Sequence, residues 1–299
     1  MSLKWSWKSG ALVVAGGAVS IALALSFRAF IGEYRDVRPP RTPVVRPPAE
    51  PLLAAMQDVS FATKDGLTLR GWYIPSKNRR AVLLAHGYRG NRASMLPDAR
   101  ILAARGYGVL LFDLRAHGES DGDKTTYGDE ERRDVSAAVD LLSSEPDVNG
   151  DQIGALGFSA GSSAVAMDAA EDPRIRAIVL EGATTSMKDA CIDDGGRFSW
   201  FTFVPALLGM SLAGVNVGSV QNADAASKFA PRPLLVVHGE SDPAISPKRA
   251  KTIFDADTGP KRLWLIPGAG HGGYIEAAPR EYPEAVVSFF DAALAKPGS

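Results

Sequence analysis

Cysteine is almost missing from this chain. Cys191 is the single thiol in 299 residues, so no disulfide can close within the chain and no thiol chemistry is expected. Charge imbalance is missing too: 33 Lys and Arg stand against 34 Asp and Glu, a formal net charge of −1. That gives no reason to expect a nucleic-acid partner. No internal repeat is visible. Histidine is scarce, so a base working near neutral pH has only His86, His117, His238 and His271 to come from.

What is present is the pattern G-x-S-x-G, twice: Gly157-Phe158-Ser159-Ala160-Gly161 and Gly118-Glu119-Ser120-Asp121-Gly122. Such a pattern marks a serine held on a tight strand-to-helix turn, and its flanks decide whether it does so. Residues 152–158 before Ser159 are apolar and uncharged, as a parallel strand buried on both faces would be. The small and apolar residues 160–170 after it suit a helix packed closely on a sheet. Ser120 is followed instead by a polar stretch, 121–128, with no helical period. Ser159 is therefore the candidate nucleophile and Ser120 a loop residue.

Outward from Ser159 the chain alternates. Residues 58–63 and 67–74 read as an antiparallel pair turning at Asp65-Gly66. Strands are expected at 81–85, 107–114, 175–181, 234–238 and 263–266. Helices are expected from Asn91 to about 105, and at 130–144, 248–254 and 284–294. This order implies an α/β fold, a mostly parallel sheet with helices on both faces. Ligands in such sheets bind beyond the carboxyl ends of the strands. A serine there needs a base, and the base needs a carboxylate to orient it. His271, in the glycine-rich stretch 267–273 after a strand, is the expected base. Asp242, just past the 234–238 strand, is the expected acid, with Glu181 as rival. The other three histidines are read as structural. Two backbone N–H groups should form an oxyanion hole: that of Ala160, after the nucleophile, and one from the loop after 81–85, which points to Tyr88.

These segments together resemble the α/β-hydrolase superfamily over about residues 58–295. They are His86-Gly87-Tyr88-Arg89-Gly90-Asn91, Asp113-Leu114-Arg115-Ala116-His117-Gly118-Glu119-Ser120, the Ser159 elbow, Gly239-Glu240-Ser241-Asp242-Pro243 and Gly270-His271-Gly272. They are similar to the bacterial branch related to serine aminopeptidases, monoglyceride lipases and dienelactone hydrolases. The resemblance implies a serine hydrolase cleaving a carboxylic ester or related acyl compound through an acyl-enzyme, with no metal or organic cofactor. A peptidase or amidase, and a catalytically silent binding protein on the same fold, are the alternatives. It also implies a lid at about 183–230. There Phe198, Trp200 and Phe201 either wall a substrate pocket or pack among themselves.

Residues 9–27 carry no charge, and nineteen helical residues span about 28 Å, near the thickness of bilayer hydrocarbon. A single-pass anchor within residues 1–35 is expected. A cleaved signal peptide, with Ala22-Leu23-Ala24 as its site, is the alternative, and the absence of a following cysteine argues against lipoprotein processing. Lys4 and Lys8 precede the run, while Arg28, Arg35, Arg38, Arg41 and Arg46 follow it. The positive-inside rule thus favours a cytoplasmic domain, against the equally familiar exported arrangement. Six prolines in 36–51 read as a stiff linker to one domain, 52–299. The expected partners are a small acyl substrate and the membrane.

Overall fold

The computed structural model describes residues 7–48 and 50–295; Lys4 and the final four residues lie outside them. Along the chain run α1 (Trp7–Asp36), β1 (Gln57–Ala62), β2 (Thr68–Ile74), β3 (Ala81–Ala85), α2 (Leu96–Ala103), β4 (Gly108–Phe112) and α3 (Arg132–Ser144). The elbow strand β5 (Ile153–Phe158) and its helix α4 (Ala160–Ala169) follow, then β6 (Ile175–Glu181), α5 (Met187–Gly195), α6 (Ser199–Leu212) and α7 (Asn222–Ala226). The chain closes with β7 (Leu234–Gly239), α8 (Pro247–Ala256), β8 (Lys261–Ile266), α9 (Tyr274–Ala277) and α10 (Glu281–Ala293).

The strands form one eight-stranded sheet in the order β1-β2-β4-β3-β5-β6-β7-β8. β1 and β2 pair antiparallel, β2 meets β4 antiparallel, and every pairing from β4 to β8 is parallel. β3 and β4 are buried at every position, because both faces of the sheet are covered. Alternation then sends side chains to opposite layers. Leu83, Leu110 and Val236 pack with Val135 and Val139 of α3 and Val165 of α4. Leu84, Leu111 and Val237 pack with Leu102 of α2 and Val286 and Phe290 of α10.

Two expected elements differ. The helix opened by Asn91 is a 3₁₀ turn, Arg92–Met95, followed by α2, because Pro97 can occupy only the first turn of a new α-helix. The apolar N-terminal helix runs on to Asp36, past the charge-free stretch, and its last turns lie against α6. Gly209 makes that approach possible, since a Cβ there would stand 2.3 Å from the Phe30 carbonyl oxygen. Residues 37–48 have no helix or strand, and they lie on the domain. Val37 is buried with Met187, Cys191 and Met210 in a third cluster. Arg41 donates to the carbonyls of Gly118, Ser120 and Gly122 at 3.0, 2.6 and 2.8 Å.

Candidate active site

The site is assembled at the carboxyl ends of β3, β5, β7 and β8. Ser159 follows β5 directly and has φ +52°, ψ −116°, a left-handed conformation costly for a residue with a Cβ. The surroundings fix it there. Its N–H donates to the Glu181 carbonyl at 2.8 Å. A Cβ on Gly157 would stand 2.4 Å from the Gly161 carbonyl oxygen, and one on Gly161 would stand 2.2 Å from that of Ala85. The two glycines are thus required by the closeness of strand and helix.

Asp242 and His271 arrive from the loops after β7 and β8. His271 Nδ1 lies 2.7 Å from Asp242 Oδ2 and its Nε2 2.9 Å from Ser159 Oγ. In this arrangement Nδ1–H donates to the carboxylate, and Nε2 is the acceptor for the serine hydroxyl. Asp242 Oδ1 accepts from the N–H groups of Ala244 and Ile245 at 2.8 and 2.9 Å, which orients the carboxylate. Burial alone would push its pKa up. Hydrogen bonds from His238, His271 and Ile245 outweigh that and hold it well below the ordinary range. His238, read from sequence as structural, is fully buried with Nε2 2.9 Å from the Ile245 carbonyl and 3.2 Å from Asp242 Oδ2.

Glu181, the rival acid, is directed elsewhere. Tyr282 Oη lies 2.6 Å from Glu181 Oε1 and 2.6 Å from Asp98 Oδ1. One phenolic proton cannot serve both bonds, so a carboxyl proton supplies the second. Burial agrees with this: it pushes Glu181 well above the usual range and Asp98 up to about 6. Ser120 is likewise occupied. Its hydroxyl donates to the Asp113 carbonyl at 2.6 Å and accepts from Arg70 N–H at 2.9 Å.

Tyr88 and Ala160 border the same cavity as Ser159 and His271. Among the described residues neither backbone N–H has an intramolecular partner. His86 shapes the Tyr88 loop. Its Nδ1–H donates to the Gly87 carbonyl at 2.8 Å, and Nε2 accepts from Leu114 N–H at 3.1 Å. Burial, with His117 beside it, lowers the His86 pKa to about 3, so the ring is neutral and both bonds hold. The Tyr88 side chain is half-buried, and its hydroxyl donates to the Asp36 carbonyl at 2.8 Å, tying the loop to the end of α1.

The cavity over Ser159 is about 260 Å³. Its walls include Thr184, Met187, Cys191, Met210 and Ile245, with three carboxylates, Glu33, Asp36 and Asp194. Sequence reasoning missed Glu33 and Asp36. They sit on the helix that carries the apolar run, and its docking on α6, with the Tyr88–Asp36 bond, brings them to the cavity over Ser159. Burial, then the Glu33 and Asp194 charges, push the Cys191 thiol up to about 12, so it stays protonated. Phe198, Trp200 and Phe201 do not border the cavity. They pack edge to face at the start of α6, with centroids 5.9 Å (Phe198–Phe201) and 4.6 Å (Trp200–Phe201) apart. The inward face of α6 is supplied by Ala206, Gly209 and Met210.

Residues 65–232 match the family described as X-Pro dipeptidyl-peptidase (S15 family). Ser159, Ala160 and Tyr88 fall inside that stretch; Asp242 and His271 lie beyond it. The chain is 29% identical over 251 residues to the Escherichia coli K12 protein YfhR, covering 80% of this chain and 81% of that one. It is 31% identical over 228 residues to the Mycobacterium tuberculosis protein Rv2307c, covering 75% of each. Among solved structures, the Pyrococcus furiosus esterase Pf2001 superposes with a TM-score of 0.73 at 26% identity, covering 87% of this chain and 98% of that one.

Proposed function

From a chain that belongs to the X-Pro dipeptidyl-peptidase (S15) family and is a hydrolase of the α/β-hydrolase fold, we propose a serine hydrolase acting on a carboxylic ester or related acyl compound. Ser159 attacks the acyl carbon as His271 takes its proton, and Asp242 holds the imidazole and balances its charge. The Tyr88 and Ala160 N–H groups receive the oxyanion. His271 then returns the proton to the leaving group, and water releases the acyl group by the same route. The observation that carries this reading is the Ser159–His271–Asp242 relay, at 2.9 and 2.7 Å, on a strained elbow. The likeness to the P. furiosus esterase favours an ester.

A peptidase reading is favoured by a different observation. Glu33, Asp36 and Asp194 at the cavity wall would receive a protonated amine. The chemistry is tested with the full chain in detergent micelles. A fluorophosphonate probe should label wild type and leave Ser159→Ala unlabelled. Nitrophenyl esters of graded chain length should be turned over faster than aminoacyl and X-Pro anilides. Faster anilide turnover would move the protein to the peptidase reading. Absence of both labelling and turnover in wild type would remove the enzyme reading.

We also propose that the apolar part of α1 anchors the protein. Within the candidate span Val14–Asp36 an 18-residue window has a mean hydropathy of 1.8 and no buried residue. An uncleaved N-terminus on the membrane-bound protein, read by mass spectrometry, is the expected result.

A further inference from the structure

The lid helix α6 has a feature that neither the core nor the catalytic site explains. Its fourteen residues include no charge, and its outward ridge carries Trp200, Val204, Leu208 and Leu212 in strict four-residue steps. These side chains are 75%, 57%, 51% and 63% exposed. A water-facing helix normally turns polar residues outward, and a continuous apolar ridge marks an interaction surface.

Its position relative to α1 identifies the partner. The two helices run in the same direction. Ser26 Oγ donates to the Phe201 carbonyl at 3.2 Å, and further along Gly209 rests on the Phe30 carbonyl and Tyr34 N. The start of α6 therefore lies level with the end of the charge-free run of α1, where Arg28 follows Phe27. The chemistry of that end suits a membrane surface. Phe198 and Trp200 are exposed, and the Arg197 guanidinium stacks over the Phe198 ring at 4.7 Å. Tryptophan at the headgroup level and a cation reaching the phosphates are features of interfacial anchors.

We propose that the start of α6 is a membrane-docking surface. Phe198, Trp200 and Val204 enter the headgroup layer of the bilayer that α1 crosses, beside Arg197, while Leu208 and Leu212 lie progressively farther out. The partner is the lipid bilayer, and the lid over Ser159 is held at its surface. The inference rests on the anchor reading of α1 and is independent of ester or amide chemistry.

The test uses the full chain in phosphatidylcholine/phosphatidylglycerol vesicles. A polarity-sensitive fluorophore is attached to Trp200→Cys, Val204→Cys or Leu212→Cys. Leu23→Cys reports the anchor, and Lys228→Cys, exposed before β7, is the aqueous reference. Buried Cys191 gives the background, measured on the unsubstituted chain. Leu23 should be quenched most by lipid with a deep nitroxide. Trp200 and Val204 should be blue-shifted and quenched most by a shallow nitroxide. Leu212 should be weaker, and Lys228 open to aqueous iodide. If Leu23 is in lipid while Trp200 and Val204 respond to iodide as Lys228 does, the inference is overturned and the anchor stands. If Leu23 is also aqueous, both fall. If the α6 probes shift without nitroxide quenching and follow protein concentration, a second copy covers the ridge, and the bilayer assignment is overturned.

Discussion

A serine forced to φ +52° and a serine locked between Arg70 N–H and the Asp113 carbonyl carry the same five-residue pattern to opposite ends. Replacing Ser120 by Ala should leave probe labelling intact while lowering stability by about 1–3 kcal/mol, the cost of a buried donor and acceptor left unmet. Urea unfolding beside the labelling assay reads both. Asp242→Asn should preserve the fold yet reduce kcat by about ten-thousandfold, because an amide no longer holds His271 in the required tautomer; steady-state kinetics check it. Ser159, Asp242 and His271 could be read from the sequence because each follows an apolar strand closely, so local pattern places it at the sheet's edge. Glu33 and Asp36 could not. They lie more than a hundred residues before Ser159, and their position depends on a helix-on-helix contact that no local pattern encodes.

At the scale of elements, β3, β4, β5 and β7 are legible as short charge-free apolar runs, because burial on both faces leaves no place for polar alternation. The N-terminal helix was legible only in its apolar part. Its extension to Asp36 is stabilised by packing on α6, where Gly209 admits the Phe30 carbonyl. Gly209→Val should force these helices apart. The core sheet would keep its thermal transition, but the lid should be cut by a nonspecific protease about tenfold faster, as local opening becomes easier. Which of the two alternatives Phe198, Trp200 and Phe201 would follow was illegible for a related reason. Composition shows that a segment is apolar but not which side of a helix meets the protein.

The whole molecule carries several buried carboxyls, and these set how its stability responds to pH. Asp168 on α4 is the clearest case: its Oδ2 is buried without a partner among the described residues. Burial, aided by the Asp172 charge, pushes its pKa from 3.8 up to about 8. The folded chain therefore keeps a proton that the unfolded chain releases near pH 4. The stability associated with that proton is full below about pH 4 and is lost as pH rises toward about 8. Asp168→Asn removes this loss and should raise stability at pH 8.5 while changing it little at pH 4. Denaturant titrations at the two pH values measure the difference.

The helix proposed to enter the apolar phase and the helix that lends Glu33 and Asp36 to the cavity are one rod. A rod transmits axial movement undiminished, and one residue of travel is 1.5 Å. With that rod seated in a bilayer, hydrocarbon thickness becomes a setting of the cavity wall. A thicker membrane draws the rod outward, and a thinner one tilts it or lets it recede. Turnover by the same polypeptide in vesicles of graded acyl length should then vary, while turnover in micelles stays flat.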